Sequence, residues 1–192
     1  MALEEDYSNG FNIALIAFAG AGKTTTLLSL AKKFPSRKVA MLTYNKSLQL
    51  ETEARIRNEG LTNIQCSTIH SAFGSCQDDL AMVTRLNDPA SQTCPKLDAE
   101  VIMVDESQDC RPLLMKAIQQ LIPCNAQVVL AGDPNQTLYS YIYGDEASSK
   151  FLLDPKAHFF STVPWKRHYL SKSYRLPPSI AATVSAVWGI TI

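Results

Sequence analysis

A lysine and a threonine, Lys23 and Thr24, stand just after a glycine-containing turn near the start of the chain. The turn carries Gly20 and Gly22, and it follows an apolar run of strand length that begins at residue 13. Successive backbone N–H groups in such a turn can surround phosphate oxygens, while the N-terminus of the following helix adds partial positive charge. The lysine would then reach the β- and γ-phosphates, and the threonine hydroxyl would bind Mg²⁺. The sequence therefore predicts a strand, a phosphate-binding loop and a helix.

The loop departs from the usual phosphate-loop spacing at one position. That spacing, G-x-x-x-x-G-K-[ST], places a glycine six residues before the lysine, where this chain has Ala17. Short glycine–lysine matches also occur by chance. A tight strand-to-helix turn with a solvated lysine is therefore a competing interpretation.

Two acidic residues, Asp105 and Glu106, follow another apolar run of strand length, residues 101–104. Because parallel strands present their carboxyl ends at one edge of a sheet, we expect this pair at the edge that carries the phosphate loop. There Asp105 would hold Mg²⁺, and Glu106 would orient and deprotonate an attacking water molecule. An exposed acidic turn that caps the helix near Pro112 is the alternative, but the phosphate loop upstream favours the catalytic interpretation.

An amide and two aromatic residues follow the apolar run at 127–131. Gln136 comes just past the end of this strand, so its side chain is placed to sense the γ-phosphate. Tyr139 and Tyr141 could stack on unpaired bases, a contact worth roughly 1–3 kcal/mol per base. Each tyrosine taken alone is more often a packed, half-buried ring.

Apolar runs of strand length alternate with helical patterns along the chain. Further strands are predicted at 38–44 and 64–67, and helices at 23–33, 48–58 and 113–122. Strands buried on both faces that alternate with helices predict an α/β fold, a parallel sheet with helices on both faces. Residues 1–11 are predicted as an N-terminal tail, 12–192 as one lobe, and 74–97 as a long surface connection with a small helix. An apolar stripe near the C-terminus is predicted to pack on the chain's own sheet; its members are Ile180, Val184, Val187 and Trp188. The alternative is that the stripe is exposed apolar surface that a partner lobe would cover.

The composition fits one α/β domain. The chain has 192 residues, 46% apolar content and zero formal net charge, so no large basic field for polyanions is present. Its five cysteines form no C-x-x-C pair, which predicts neither a disulfide framework nor a zinc site. The N-terminus lacks the pattern of a signal peptide, and the apolar run from residue 13 is too short to span a bilayer. We therefore expect an intracellular protein without a membrane partner.

Six segments together resemble, in order, the successive motifs of the UvrD/Rep group of superfamily 1 DNA helicases. They are FAGAGKTTTL, LTYNKSLQLE, STIHSAF, IMVDESQD, VVLAGDPNQTLYSY and LSKSYRLPPSIA. The resemblance extends from Asn12 to Val187 and is greatest to the F-box DNA helicase branch. It implies a RecA-like first lobe that binds ATP, Mg²⁺ and single-stranded DNA and works with a second lobe or another protein partner. It also implies a nuclear location in a eukaryote and a cytoplasmic one otherwise.

The resemblance implies a role for each motif residue. Nucleotide binding is implied for Gly20, Ala21, Gly22, Lys23, Thr24 and Thr25, with Thr24 and Asp105 on the metal. Catalytic roles are implied for Lys23, Glu106, Gln136 and Arg175, and contacts with single-stranded DNA for Thr43, Asn45, His70, Tyr139 and Tyr141. Arg175 would stabilise the charge that develops in phosphoryl transfer. A solvated cation is the alternative for Arg175, and a helix-capping or core histidine is the alternative for His70.

Some departures from the family pattern bear on function. Ile142 follows Tyr141 where many relatives carry arginine, and nothing before Asn12 resembles the glutamine-bearing motif that reads adenine. Motifs of the second lobe do not occur before Ile192. Because translocation needs two lobes that close on ATP and open on ADP, we expect this lobe to hydrolyse Mg-ATP slowly and to unwind nothing by itself. A nucleotide-sensing interaction module and a P-loop phosphotransferase are the alternatives, although no acceptor site is identifiable for the latter.

Overall fold

The computed structural model describes residues 2–74, 76–88, 96–137, 149–159, 161–175 and 177–188. In these ranges the strands are β1 (Asn12–Ala17), β2 (Val39–Thr43), β3 (Ile64–Thr68), β4 (Val101–Val104), β5 (Gln127–Gly132) and β6 (Trp165–Leu170). The helices are α1 (Ala2–Ser8), α2 (Lys23–Lys33), α3 (Lys46–Asn58), α4 (Ile69–Ala72), α5 (Asp79–Asn87), α6 (Pro112–Leu121), α7 (Lys150–Leu153), α8 (Pro155–His158) and α9 (Pro178–Trp188). A 3₁₀ turn, Ser107–Asp109, follows β4.

The strands form one parallel sheet in the order β3-β2-β4-β5-β1-β6. In its central part Ile13 of β1 pairs with Val129 of β5, and Val101 of β4 pairs with Gln127. Parallel strands present all their carboxyl ends at the same edge, so the loops that follow β1, β4 and β5 meet there. The predicted α/β class is confirmed.

Alternate residues of each central strand enter two separate hydrophobic cores. On one face, Ile13 and Leu15 of β1 join a core that includes buried residues of α1, α2 and α3. On the other face, Ala14 and Ile16 join a core built largely from α4, α5, α6 and α7. Since both faces of the central strands are covered, these strands are largely apolar, and this is why their positions could be predicted as continuous apolar runs.

The first residues form a packed helix and not a tail. Helix α1 buries Leu3 and Tyr7, and the Tyr7 ring centroid lies 5.1 Å from that of Phe34, just after α2. Its Asp6 carboxylate pairs with Nε2 of His168 on β6 at 2.9 Å. The prediction of a tail at residues 1–11 is therefore wrong for residues 2–8, because a two-turn helix with two buried residues has no clear apolar period.

Strand β6 is the edge strand that the sequence pattern does not predict. It pairs with β1 along its whole length, but Lys166, Arg167 and Tyr169 are exposed. An edge strand has an apolar neighbour on one side only, so its sequence is more polar than that of the central strands.

Helix α9 was expected to pack on the sheet, but its apolar side chains are largely exposed. Its Ile180 and Val187 side chains are 49% and 72% exposed, and Val184 is half-buried. Apolar periodicity shows that a helix has one apolar face, but it does not show what covers that face.

Among the described residues, no helix has the length and apolarity that crossing a bilayer requires.

Candidate nucleotide site

The loop between β1 and α2 has the backbone of a phosphate-binding turn. Gly20 and Gly22 have φ angles of +70° and +84°, in the left-handed region that glycine adopts without strain. Gly22 is also the N-cap of α2, and no side chain caps this helix end. The first N–H groups of α2 therefore lack a side-chain partner and are available to an anion. Ala17 lies inside β1, paired with Leu170, so the turn forms after the position at which the usual motif has glycine.

The groups predicted to share a Mg-bound triphosphate come together at this edge of the sheet. The Thr24 hydroxyl donates a hydrogen bond of 2.6 Å to Oδ2 of Asp105. The ammonium group of Lys23 lies 3.5 Å from Oε2 of Glu106. A hydroxyl and a carboxylate at this separation are the oxygen donors that Mg²⁺ uses together with phosphate oxygens, so the residues present fit the ion.

Burial raises the pKa of the Asp105 carboxyl. Its pKa is raised from 3.8 to about 6, first because the group is removed from water and second because the Glu106 charge is adjacent. Hydrogen bonds from the Thr24 hydroxyl and the Glu106 backbone N–H, together with the Lys23 charge, oppose this shift. A cation bound beside Asp105 would favour its charged form and lower this pKa.

Glu106 is held in a strained conformation. Its φ angle is +52°, the only positive value among the described non-glycine residues. Strain of this kind is found mainly where a side chain must point in one functional direction. Oε2 of Glu106 also accepts a hydrogen bond of 2.8 Å from Nε2 of Gln108, a residue that the sequence motifs did not single out.

Gln136 lies at the same edge, beside a cavity of about 330 Å³ whose lining includes Glu106 and Gln108. Its Nε2 donates a hydrogen bond of 2.6 Å to Oδ2 of Asp133, which follows β5 directly. The amide is exposed, so it is accessible from solvent.

The segment after β6 closes over the phosphate loop. The backbone N–H of Tyr174 donates to the Gly20 carbonyl at 2.9 Å, and the Ser173 hydroxyl donates to the Ala19 carbonyl at 2.8 Å. Arg175 packs so closely that a Cβ on Gly20 would lie 2.5 Å from the Arg175 Cβ. These contacts fix the segment after β6 against the phosphate loop.

The segment and the loop together line an open cavity of about 700 Å³. Tyr174 lines it and is 77% exposed, beside Arg175 and Thr25. No motif role was predicted for Tyr174, although it directly precedes Arg175, the arginine predicted to act on the γ-phosphate. The Thr25 hydroxyl accepts a hydrogen bond of 2.9 Å from Arg55 of α3, which links that helix to the loop.

The residues predicted to contact single-stranded DNA differ in their exposure. Asn45 is exposed and caps α3, accepting from the Leu48 backbone N–H at 2.9 Å. Thr43 is 1% exposed, so its side chain is closed to a strand in this conformation. His70 is half-buried, with Nε2 at 3.1 Å from Oδ1 of Asp79. The predictions for Tyr139 and Tyr141 lie outside the described residues.

Fold and site together define a P-loop nucleotide-binding lobe. Residues 2–141 match the family model AAA_19, an AAA domain, and the chain belongs to this family. The predicted resemblance to superfamily 1 helicases is confirmed by the relatives that follow.

Two curated relatives are helicases. The chain is 36% identical over 76 residues to F-box DNA helicase protein 1 of Schizosaccharomyces pombe, covering 39% of this chain and 8% of that protein. It is 24% identical over 185 residues to ATP-dependent DNA helicase UvrD2 of Mycobacterium tuberculosis strain ATCC 25618 / H37Rv, covering 95% of this chain and 24% of the relative. The chain thus spans at most about a quarter of the length of these curated relatives.

A solved structure of Pif1 helicases, on DNA unwinding at forked double-stranded DNA, has the same fold. It superposes with a TM-score of 0.60 at 17% identity, covering 96% of this chain and 46% of that one. The RecA-like architecture that the motifs imply is confirmed by this similarity.

Proposed function

We propose that this lobe binds Mg-ATP, hydrolyses it, and couples hydrolysis to single-stranded DNA as the first lobe of a superfamily 1 DNA helicase. The main support is the contact of Thr24 with Asp105 at 2.6 Å beside that of Lys23 with Glu106 at 3.5 Å. These four side chains are the set that phosphoryl transfer from a nucleotide requires: a cation for the phosphates, two oxygen donors for the metal and a carboxylate for water.

Phosphate binding would rearrange this set in a defined way. Lys23 now pairs with Glu106; β- and γ-phosphate oxygens would replace that carboxylate as the partner of the lysine. Glu106 would then be free to orient a water molecule and to accept its proton. Thr24 and Asp105 would hold Mg²⁺, which supplies positive charge to the phosphate oxygens when bound.

The segment after β6 would complete the nucleotide site. Tyr174, exposed on the wall of the cavity, would stack on the base of the nucleotide. Arg175 would stabilise charge on the γ-phosphate, and Gln136 would sense that phosphate from the other side. Backbone N–H groups at Gly20 to Thr25 would bind the remaining phosphate oxygens.

The coupling to DNA is supported by the names of the relatives, which are DNA helicases. Asn45 and His70 lie in the matching motifs at or near the surface, and we propose them as contacts with the strand. Tyr139 and Tyr141 are proposed as stacking residues. The lobe, with α1 packed into its core, would be the first lobe of a motor, which by itself would hydrolyse ATP without unwinding DNA.

ATP hydrolysis measured as phosphate release, with and without a single-stranded oligonucleotide, tests this function. We expect Mg²⁺-dependent release that the oligonucleotide stimulates, and loss of release in Glu106→Gln. Glu59→Gln, which alters a surface carboxylate 3.5 Å from Lys32, is the matched control and should hydrolyse normally. Equal release by wild type and Glu106→Gln would contradict the proposal.

A nucleotide-sensing interaction module is the second candidate, because α9 exposes apolar Ile180 and Val187. Such a module would bind Mg-ATP with the same affinity in wild type and in Glu106→Gln, and a single strand would not change its hydrolysis. The phosphate-release assay therefore separates the two functions.

A further inference from the structure

We propose that Gln108 is a positioning residue that holds the Glu106 carboxylate and couples it to the loop after β5; the proposal rests on the proposed function of Glu106. Gln108 lies in the 3₁₀ turn after β4 and is 2% exposed. Burying a side-chain amide costs free energy unless its donors and acceptor form hydrogen bonds. The hydrogen-bond partners of Gln108 therefore indicate its role.

The two ends of this amide have different partners. Its Oε1 accepts a hydrogen bond of 3.1 Å from the backbone N–H of Asp133, and its Nε2 donates one of 2.8 Å to Oε2 of Glu106. A backbone N–H can only donate, so the oxygen must face Asp133 and the nitrogen must face the carboxylate. The orientation of the amide is therefore fixed by chemistry on both sides.

Gly132, at the end of β5, leaves space for the Gln108 amide because it has no side chain. A Cβ on Gly132 would lie 2.5 Å from Oε1 of Gln108 and 3.0 Å from Oγ of Ser107. The Ser107 hydroxyl in turn donates to the Ala131 carbonyl at 3.0 Å. The end of β5 and the turn after β4 thus fit together around this one side chain.

The contacts continue from Asp133 to the predicted γ-phosphate sensor. Oδ1 of Asp133 accepts from the Asn135 backbone N–H at 3.0 Å, and Oδ2 accepts from Nε2 of Gln136 at 2.6 Å. A continuous path of hydrogen bonds therefore connects Glu106, Gln108, Asp133 and Gln136. A displacement of the loop after β5 would move the amide that holds Glu106, so the catalytic carboxylate and Gln136 would change position together.

This path gives Gln108 a role that general packing does not predict. In this structure both Lys23 and Gln108 contact Oε2 of Glu106, at 3.5 and 2.8 Å. Once phosphate oxygens take Lys23, the buried Gln108 amide remains as the donor that directs this carboxylate on its strained backbone. Without the donor, the carboxylate would remain present but would be held less firmly toward the water molecule. Loss of position lowers the rate of the chemical step and leaves nucleotide affinity largely unchanged.

The test compares Gln108→Met with Gln49→Met. Gln49 is the matched control because it is also buried and its Nε2 also donates to a glutamate, Oε1 of Glu53, at 2.7 Å. We expect kcat for ATP hydrolysis to fall by about a hundredfold in Gln108→Met. The dissociation constant for a fluorescent ATP analogue should change by less than about twofold, since the chemical step alone is affected. Gln49→Met should retain the wild-type kcat.

An exchange of the two side chains tests the contact itself. Gln108→Glu removes the donor and places two carboxylates together, so the equilibrium constant for folding should fall by about tenfold or more. In Glu106→Gln/Gln108→Glu the amide and carboxylate change places, and folding stability measured by urea unfolding should return toward wild type without recovery of kcat. No recovery of stability would overturn the assigned contact.

The outcomes separate this proposal from the proposed function. Wild-type hydrolysis together with equal kcat values in Gln108→Met and Gln49→Met would overturn the positioning role alone. A wild-type protein that does not hydrolyse ATP, with or without single-stranded DNA, would overturn the proposed function and the positioning role that rests on it. A parallel loss of nucleotide affinity and kcat in Gln108→Met would show a structural role and would also overturn the inference.

Discussion

Replacement of Asp105 by asparagine should stabilise the nucleotide-free protein at neutral pH. Asp105 is buried, and its pKa is raised from 3.8 to about 6 by burial and by the neighbouring Glu106 charge. One pKa unit corresponds to about 1.4 kcal/mol of free energy. The rise in the pKa of Asp105 therefore means that its ionised form destabilises the folded state by about 3 kcal/mol. Asparagine carries no charge, so it removes this cost. Its oxygen can accept from the Glu106 backbone N–H, and its NH2 group can donate to the Thr24 hydroxyl oxygen, so both contacts of the carboxyl are kept.

The gain should depend on pH with a definite sign. Well below pH 3.8 Asp105 is protonated in both folded and unfolded chains, so wild type and Asp105→Asn should be equally stable. As the pH rises from 3.8 to about 6 the unfolded chain loses this proton first, and wild-type stability falls relative to the variant. Above about pH 6 the whole difference should be present.

Urea unfolding followed by circular dichroism at pH 4.5, 6 and 7.5 measures this difference. At pH 7.5 the midpoint should rise in Asp105→Asn, and the thermal midpoint should rise by about 6–12 °C. Asp98→Asn, which alters an exposed carboxylate paired with Lys38 at 2.8 Å, is the control and should change stability by less than about 0.5 kcal/mol. A variant that is less stable than wild type at pH 7.5, or a difference that does not vary with pH, would refute the reasoning.

Three further predictions follow from the structure. Gly132→Ala should lower stability by about 1–3 kcal/mol in urea unfolding, because the new methyl group would meet Oε1 of Gln108; unchanged stability would contradict that packing. Tyr174→Ala should weaken binding of a fluorescent ATP analogue by about tenfold through lost base stacking, whereas Tyr174→Phe should bind as wild type, and equal affinities of all three would exclude stacking. Iodoacetamide should modify exposed Cys124 and spare Cys110, whose pKa burial raises to about 12; mass spectrometry of the native protein that finds Cys110 modified first would contradict the assigned burial.

The sequence predicted the central part of the fold because that part is constrained on both faces. Strands such as β4, Val101–Val104, must be apolar at every position when helices cover both sides of the sheet. The same constraint predicted that Asp105 would lie near Thr24, since parallel strands release their loops at one edge.

The parts that the sequence did not predict depend on contacts between distant segments. Strand β6 is polar because it lies at an edge, and α1 is too short to show a periodic pattern. Gln108 and Tyr174 acquire their positions only when the turn after β4 meets β5 and when the segment after β6 meets the phosphate loop. The apolar stripe of α9 likewise predicts an apolar face but does not specify whether another segment covers it, and in the structure Ile180 and Val187 are exposed.

The central claim is that Lys23, Thr24 and Asp105 bind one Mg-bound triphosphate at the carboxyl edge of the sheet. Isothermal titration of Mg-ATP into wild type and Lys23→Ala tests this claim most directly, with Lys32→Ala on the exposed side of α2 as the matched control. We predict saturable binding by wild type and Lys32→Ala, weakened by about a hundredfold in Lys23→Ala. Equal affinity of Lys23→Ala and wild type for Mg-ATP would contradict the account.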